Sequence, residues 1–135
     1  MSDAATPEPS GRRWRWRFYS TPSGREPVRD FLYDPRLSDL DAANIAAAMK
    51  EVRRLGRAHP DVNHLTGDIW QIEIDGTRVI YRLLFAEEGR FGQVLLALEI
   101  VNKKWQRARA QNIRLAEDRL ADWRQRGHRL GKRRG

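Results

Sequence analysis

Two sets of cations in this chain have the type and spacing to handle a phosphate. Arg78 and Arg82 lie four residues apart in Thr77-Arg78-Val79-Ile80-Tyr81-Arg82, and positions four apart on a strand share a face. A planar guanidinium fork matches phosphate oxygens bidentately, so two of them together could grip a phosphodiester. The alternative is that both pair with Glu73, Asp75 or Glu99 on neighbouring strands. Asn102-Lys103-Lys104 directly follows the most apolar stretch of the chain. A lysine there could donate to a phosphorane oxygen. It could also act as a base if Arg78 and Arg82 depress its pKa from about 10.4 by like-charge repulsion. A solvated charge pair opening a loop is the competing reading.

The wider charge distribution points the same way. The formal net charge of the 135 residues is +8. Residues 101–135 hold twelve bases and three acids, a net +9, which leaves −1 for residues 1–100. Lys103, Lys104, Arg107, Arg109, Arg114 and Arg124 would form a positive rim. Such clustering attracts nucleic acid through phosphate contacts and counterion release, with little sequence information; a solvated helix face is the alternative. Trp105, beside the lysines, is placed to stack on a base, whereas Trp14, Trp16, Trp70 and Trp123 fit core faces.

Other chemistries are excluded by composition. Without cysteine there is no disulfide framework, thiolate nucleophile or cysteine zinc site. His59, His64 and His128 lack metal-ligand spacing, and no glycine-rich phosphate loop or nucleophile elbow is present. No metal and no cofactor are expected. No apolar run approaches the roughly 18–20 residues that span a bilayer. The opening MSDAATPEPSG lacks the basic and apolar regions of a secretory signal. The expectation is a soluble, cytoplasmic protein with no membrane partner.

The elements that must position these cations follow from periodicity. The chain is read as a disordered leader (1–13), one domain (14–126) and a basic flexible tail (127–135). Trp14, Trp16 and Phe18 alternate with Arg15 and Arg17, the period of a half-buried strand. Arg25–Tyr33 reads as a short helix with Pro27 in its first turn. A second helix starts at the Ser38 cap and runs to Leu55, with Ile45, Met49, Val52 and Leu55 on its core side and Gly56 as its stop. His59–His64 reads as a polar connection. Three strands follow: Trp70–Asp75, Thr77–Ala86 after an Asp75-Gly76 turn, and the nearly all-apolar Gln93–Val101. A helix over Arg107–Arg126 ends at Gly127. The predicted class is α+β in the order β-α-α-β-β-β-α: a small antiparallel-rich sheet, an αα-hairpin and a C-terminal helix, with the helices on one face.

That order resembles the RelE/ParE superfamily of type II toxins, and within it the phage-derived HigB-like branch. The likeness rests on Phe18-Tyr19-Ser20-Thr21-Pro22-Ser23-Gly24-Arg25-Glu26-Pro27-Val28-Arg29-Asp30-Phe31-Leu32 and on His64-Leu65-Thr66-Gly67-Asp68-Ile69-Trp70-Gln71-Ile72. It continues in Thr77-Arg78-Val79-Ile80-Tyr81-Arg82, in Lys103-Lys104, and in Ala116-Glu117-Asp118-Arg119-Leu120-Ala121-Asp122-Trp123. The resemblance implies a RelE-like fold and a metal-independent, ribosome-associated mRNA endonuclease (an mRNA interferase) that uses 2′-OH attack. Arg78, Lys103 and Lys104 would be catalytic, with the choice of general base and acid open between the lysines. Arg82, Trp105, Arg107 and Arg109 would bind RNA. The partners implied are a helix-turn-helix antitoxin, mRNA and the ribosome, with operator DNA reached only through the antitoxin. Two other readings stay open. One is a ParE-like toxin acting on DNA gyrase without nucleolysis. The other is a catalytically weak RNA-binding relative, because Arg107-Ala108-Arg109-Ala110 has no tyrosine or histidine where many relatives carry one.

Overall fold

The aromatic–arginine alternation at the head of the chain does make a strand, β1 (Arg15–Phe18), in a computed structural model that describes residues 14–89, 93–102 and 108–134. The expected leader lies outside the described residues, as do Lys103, Lys104, Trp105 and Arg107. Trp14, Trp16 and Phe18 pack into the core on one side of β1. On the other side Arg17 sits 5.5 Å over the ring of Trp123. Helix α1 (Pro27–Leu32) opens with Pro27 in its first turn and buries Val28. Helix α2 (Asp39–Leu55) is capped by Ser38, whose hydroxyl accepts the Asp41 N–H at 3.1 Å. It stops at Gly56, where φ is +59°, a backbone that a Cβ disfavours.

The remaining strands are β2 (Val62–Thr66), β3 (Ile69–Asp75), β4 (Ile80–Glu88) and β5 (Val94–Asn102), followed by helix α3 (Ala108–Arg134). They form one five-stranded sheet in the order β1-β5-β4-β3-β2, with β1 parallel to β5 and every other pair antiparallel. Alternation sorts the side chains as expected. Tyr81, Leu83 and Phe85 face α1 and α2 with Ile45, Met49 and Val52, while Leu84 and Ala86 face α3 with Ala116 and Leu120. Strand β5 is buried on both faces: Leu95, Ala97 and Ile100 lie on the first side and Leu96 and Leu98 on the second. Leu84 is opposite Glu99 but Phe85 is opposite Ala97, so Leu98 is an extra, bulged residue. The bulge lets Leu98 and Glu99 both serve α3. Leu98 packs with Ala116, and Glu99 accepts from Asn112 at 3.0 Å and pairs with Arg119 at 3.3 Å.

Three expectations are corrected. The helices cover both faces of the sheet, α1 and α2 on one and α3 on the other. The alternating apolar residues of β4 and β5 leave two greasy faces, and both need cover. The described residues form five strands, because part of the supposed polar connection is β2. Its Asn63 and His64 are exposed at the sheet edge, so it shows no apolar alternation and is recruited by pairing with β3. Finally, α3 continues through Gly127 to Arg134. Gly127 does not adopt the positive φ that ends a helix, and a lone glycine costs a helix only about 1 kcal/mol.

Candidate active site at the end of the sheet

Arg78 does not lie on a strand. The reading of Thr77–Ala86 as one strand is corrected, since β4 starts at Ile80 and Arg78 occupies the turn that joins β3 to β4. Its side chain is exposed and forms no ion pair among the described residues. The turn around it is tied down from several directions. The Gly76 N–H donates to the Val79 carbonyl at 2.8 Å. The Thr77 N–H donates to Asp41 Oδ1 at 2.8 Å, and the Tyr81 hydroxyl donates to Asp41 Oδ2 at 2.7 Å. Asn44 Nδ2 reaches the Asp75 carbonyl at 3.4 Å. A carboxylate on the first turn of α2 therefore fastens the chain on both sides of Arg78.

Asp41 is 5% exposed, one of two buried polar residues among those described. The Tyr81 hydroxyl, followed by the Thr77 amide, holds its carboxyl below the usual aspartate range. Burial, and then the Asp41 carboxylate, push the Tyr81 phenol up to about 12 from 10.0. A phenol whose pKa is higher folded than unfolded stabilises the fold fully below its unfolded value. That contribution is lost as pH rises through the folded value. Unfolding followed against pH is therefore expected to show stability falling between pH 10 and 12. Tyr81→Phe should shrink the fall, leaving the part due to Tyr19, whose phenol is also raised, by burial and then by Asp122.

Tyr81 is opposite Asn102 in the β4–β5 ladder. Strand β5 thus ends one strand away, about 4.8 Å, from the start of β4. The next residues in the sequence are Lys103 and Lys104. The Arg78 turn and the end of β5 share one end of the sheet.

Arg82 does not join Arg78. It lies inside β4, is 11% exposed, and pairs with Glu73 across the ladder at 3.2 Å, the neighbouring-strand pairing weighed from spacing alone. Its Nε is buried without a hydrogen-bond partner. Glu73→Ala, which strips the guanidinium of its counter-charge, is expected to cost about 1 kcal/mol. Arg82→Met should cost less, since no buried charge is then left alone; urea unfolding of the two variants checks the order.

Much of the basic helix is engaged with the sheet. Arg119 donates to the Leu98 carbonyl at 2.7 Å, and Arg126 bonds Asp122 and the Ser20 carbonyl. Arg124 pairs with Glu88 at 2.7 Å and Asp68 at 3.0 Å. The expected positive rim therefore loses Arg124 to two carboxylates. Arg114 remains exposed, with no ion pair among the described residues. Arg109 stands in the first turn of α3. His64 bonds the Gly67 carbonyl and lies 4.6 Å from the Trp70 ring, and His59 accepts the Asp61 N–H; both are turn or surface histidines. Among the described residues no group of three or more metal-ligating side chains converges. No described helix is long and apolar enough to cross a membrane.

Sequence reading missed Asp41, Gly76 and the Tyr81 hydroxyl as parts of this site. Asp41 was legible as a first-turn acid of α2, yet it also continues the spacing of Ile45, Met49 and Val52. An acid prolonging an apolar stripe signals a buried carboxylate with work to do.

A mixed sheet faced by helices on both sides, with Arg78 exposed and without an ion pair among the described residues at one end, defines a small α+β domain. The model of the phage-derived Gp49-like protein family (DUF891) matches residues 35–121. The chain belongs to that family, which is grouped with the toxins of toxin–antitoxin systems. The match covers α2, all of β2–β5 and the first half of α3. No curated protein matches the chain.

Proposed function

We propose that this protein is the toxin of a toxin–antitoxin pair and that it cuts mRNA on the ribosome by attack of a ribose 2′-OH on the adjacent phosphate. The observation that carries this reading is Arg78, exposed, without a carboxylate partner among the described residues, and fastened on both sides by Asp41. Family membership and the resemblance to RelE-like toxins support it. In the reaction a base takes the 2′-OH proton and the 2′ oxygen bonds to phosphorus. The P–O5′ bond then breaks, and an acid protonates the leaving 5′ oxygen. The products are a 2′,3′-cyclic phosphate and a 5′-hydroxyl. Arg78 stabilises the charge gathering on the phosphorane oxygens. Lys103 and Lys104 supply the base and acid, and Trp105, Arg107 and Arg109 hold the RNA beside them. Arg82, 11% exposed and clamped to Glu73 inside β4, is left out of the RNA contact. The partner that silences it is a helix-turn-helix antitoxin.

Induced expression tests the proposal. Growth arrest accompanied by new mRNA 5′ ends, relieved in Arg78→Ala, is the expected result. Arrest with intact mRNA and a DNA-damage response would replace it with a gyrase-directed toxin. Salt-sensitive RNA binding without cleavage, even on ribosomes, would replace it with a catalytically inert RNA-binding protein.

A further inference from the structure

The geometry points to Asp41 as the positioning residue of this site: a buried carboxylate on α2 that fixes where the Arg78 guanidinium stands. The inference rests on the reading of Arg78 as the phosphate-binding cation. Arg78 itself makes no ion pair among the described residues, so its location is decided by the backbone that carries it. That backbone has few anchors of its own, because ladder pairing stops at Asp75 and Ile80. Asp41 provides the missing ones. One carboxylate oxygen takes the N–H of Thr77, the residue before Arg78, and the other takes the hydroxyl of Tyr81, three residues after it.

Each neighbour of Asp41 strengthens the fixture. Ser38 caps the same helix turn by accepting the Asp41 N–H. Asn44, one turn along, reaches the Asp75 carbonyl, so α2 touches the turn at a third point. Gly76 permits the close approach: a Cβ there would lie 3.1 Å from Asp41 Oδ2 and 2.6 Å from the Tyr81 ring. Tyr81 is also held edge-on by Phe31 of α1, with ring centroids 6.0 Å apart, which limits where its hydroxyl can point. A carboxylate needed only for stability would not have to bracket the one exposed arginine of the turn.

A misplacement of about 1 Å in a catalytic group can cost roughly 100-fold in rate. Asp41→Ala is accordingly expected to lower the cleavage rate constant on ribosomes about 100-fold with little change in KM. It should add nothing further in the Arg78→Ala background, because both changes remove one function. Asp41→Asn, which keeps an acceptor for Thr77, should recover much of the rate. Equal losses in both backgrounds would show a merely structural carboxylate and overturn the inference. A second measurement is independent of activity: backbone 15N order parameters of residues 77–79 should fall from about 0.85 to below about 0.6 in Asp41→Ala, with the sheet unchanged. If the wild type cuts no RNA and these values still fall, the functional reading fails while the positioning role stands. Unchanged values would sink the positioning role whatever the wild type cuts. Should Asp41→Ala not fold, Tyr81→Phe removes one of the two donors and is read by the same criteria.

Discussion

Arg78→Ala is expected to reduce mRNA cleavage by about 100- to 1,000-fold, the usual loss when a charged donor to a developing oxyanion is removed. The fold should hardly notice. Arg78 is exposed and makes no ion pair among the described residues, and surface changes of that kind stay within about 0.5 kcal/mol. Loss of cleavage at unchanged stability is thus the signature to look for, with single-turnover cleavage and urea unfolding measured on the same preparation. Arg78→Lys should recover only part of the rate. An ammonium supplies the charge but not the planar, two-pronged donor set. Full activity in Arg78→Lys would mean that charge alone matters at this position; full activity in Arg78→Ala would remove it from the site.

Gly76→Ala is expected to do the opposite, damaging structure first and activity through it. A Cβ on residue 76 would stand 2.6 Å from Tyr81 Cε2 and 2.9 Å from the Val79 carbonyl oxygen. Neither can retreat easily. The Tyr81 hydroxyl is bonded to Asp41, and the Val79 carbonyl accepts the Gly76 N–H at 2.8 Å. Relief requires the turn to lift away from α2, breaking the Thr77–Asp41 bond with it. The cost should reach about 3 kcal/mol, the upper end for forcing a methyl group into a packed place. Chemical denaturation reads it as a lower midpoint with an unchanged slope. Gly127→Ala is the control. A Cβ there meets nothing within 4 Å and the backbone is already helical, so it should stabilise the protein slightly.

The contrast between these glycines shows what the sequence could and could not convey. Both were legible as punctuation, and only one is. Gly76 follows Asp75 at the end of an alternating run, so two neighbouring signals agree on a turn. At Gly127 nothing but the residue type argued for a stop. Interior strands were legible because both faces of β4 and β5 are apolar in alternation. Strand β2 was not, because an edge strand with Asn63 and His64 exposed carries no such pattern and exists by virtue of its partner. The placement of helices on opposite faces depends on which side of β5 each apolar residue reaches. The bulge at Leu98 reverses that count partway along.

The site shows the same division. Spacing identified Arg78 and Arg82 as a pair of cations but could not tell a turn residue from a strand residue. The strand boundary fell between them, leaving Arg78 in solvent and Arg82 beside Glu73. The meeting of Asp41 with Thr77 and Tyr81 spans 36 and 40 residues, a separation at which local pattern is silent. Charge counting was misleading in one respect. The excess of the last 35 residues suggested a positive rim, whereas Arg124 is spent, with Arg119, on holding α3 to the sheet, and Arg126 bonds Asp122 of α3 itself and the Ser20 carbonyl.

We propose that the end of the sheet where Arg78 stands performs a transesterification on RNA. The most direct measurement is the chemistry of the ends produced when the purified protein meets mRNA-programmed ribosomes. Upstream fragments bearing a 2′,3′-cyclic phosphate and downstream fragments bearing a 5′-hydroxyl are expected, both missing with Arg78→Ala. Downstream fragments carrying a 5′-phosphate, or mRNA left whole by a folded wild-type protein, would contradict it.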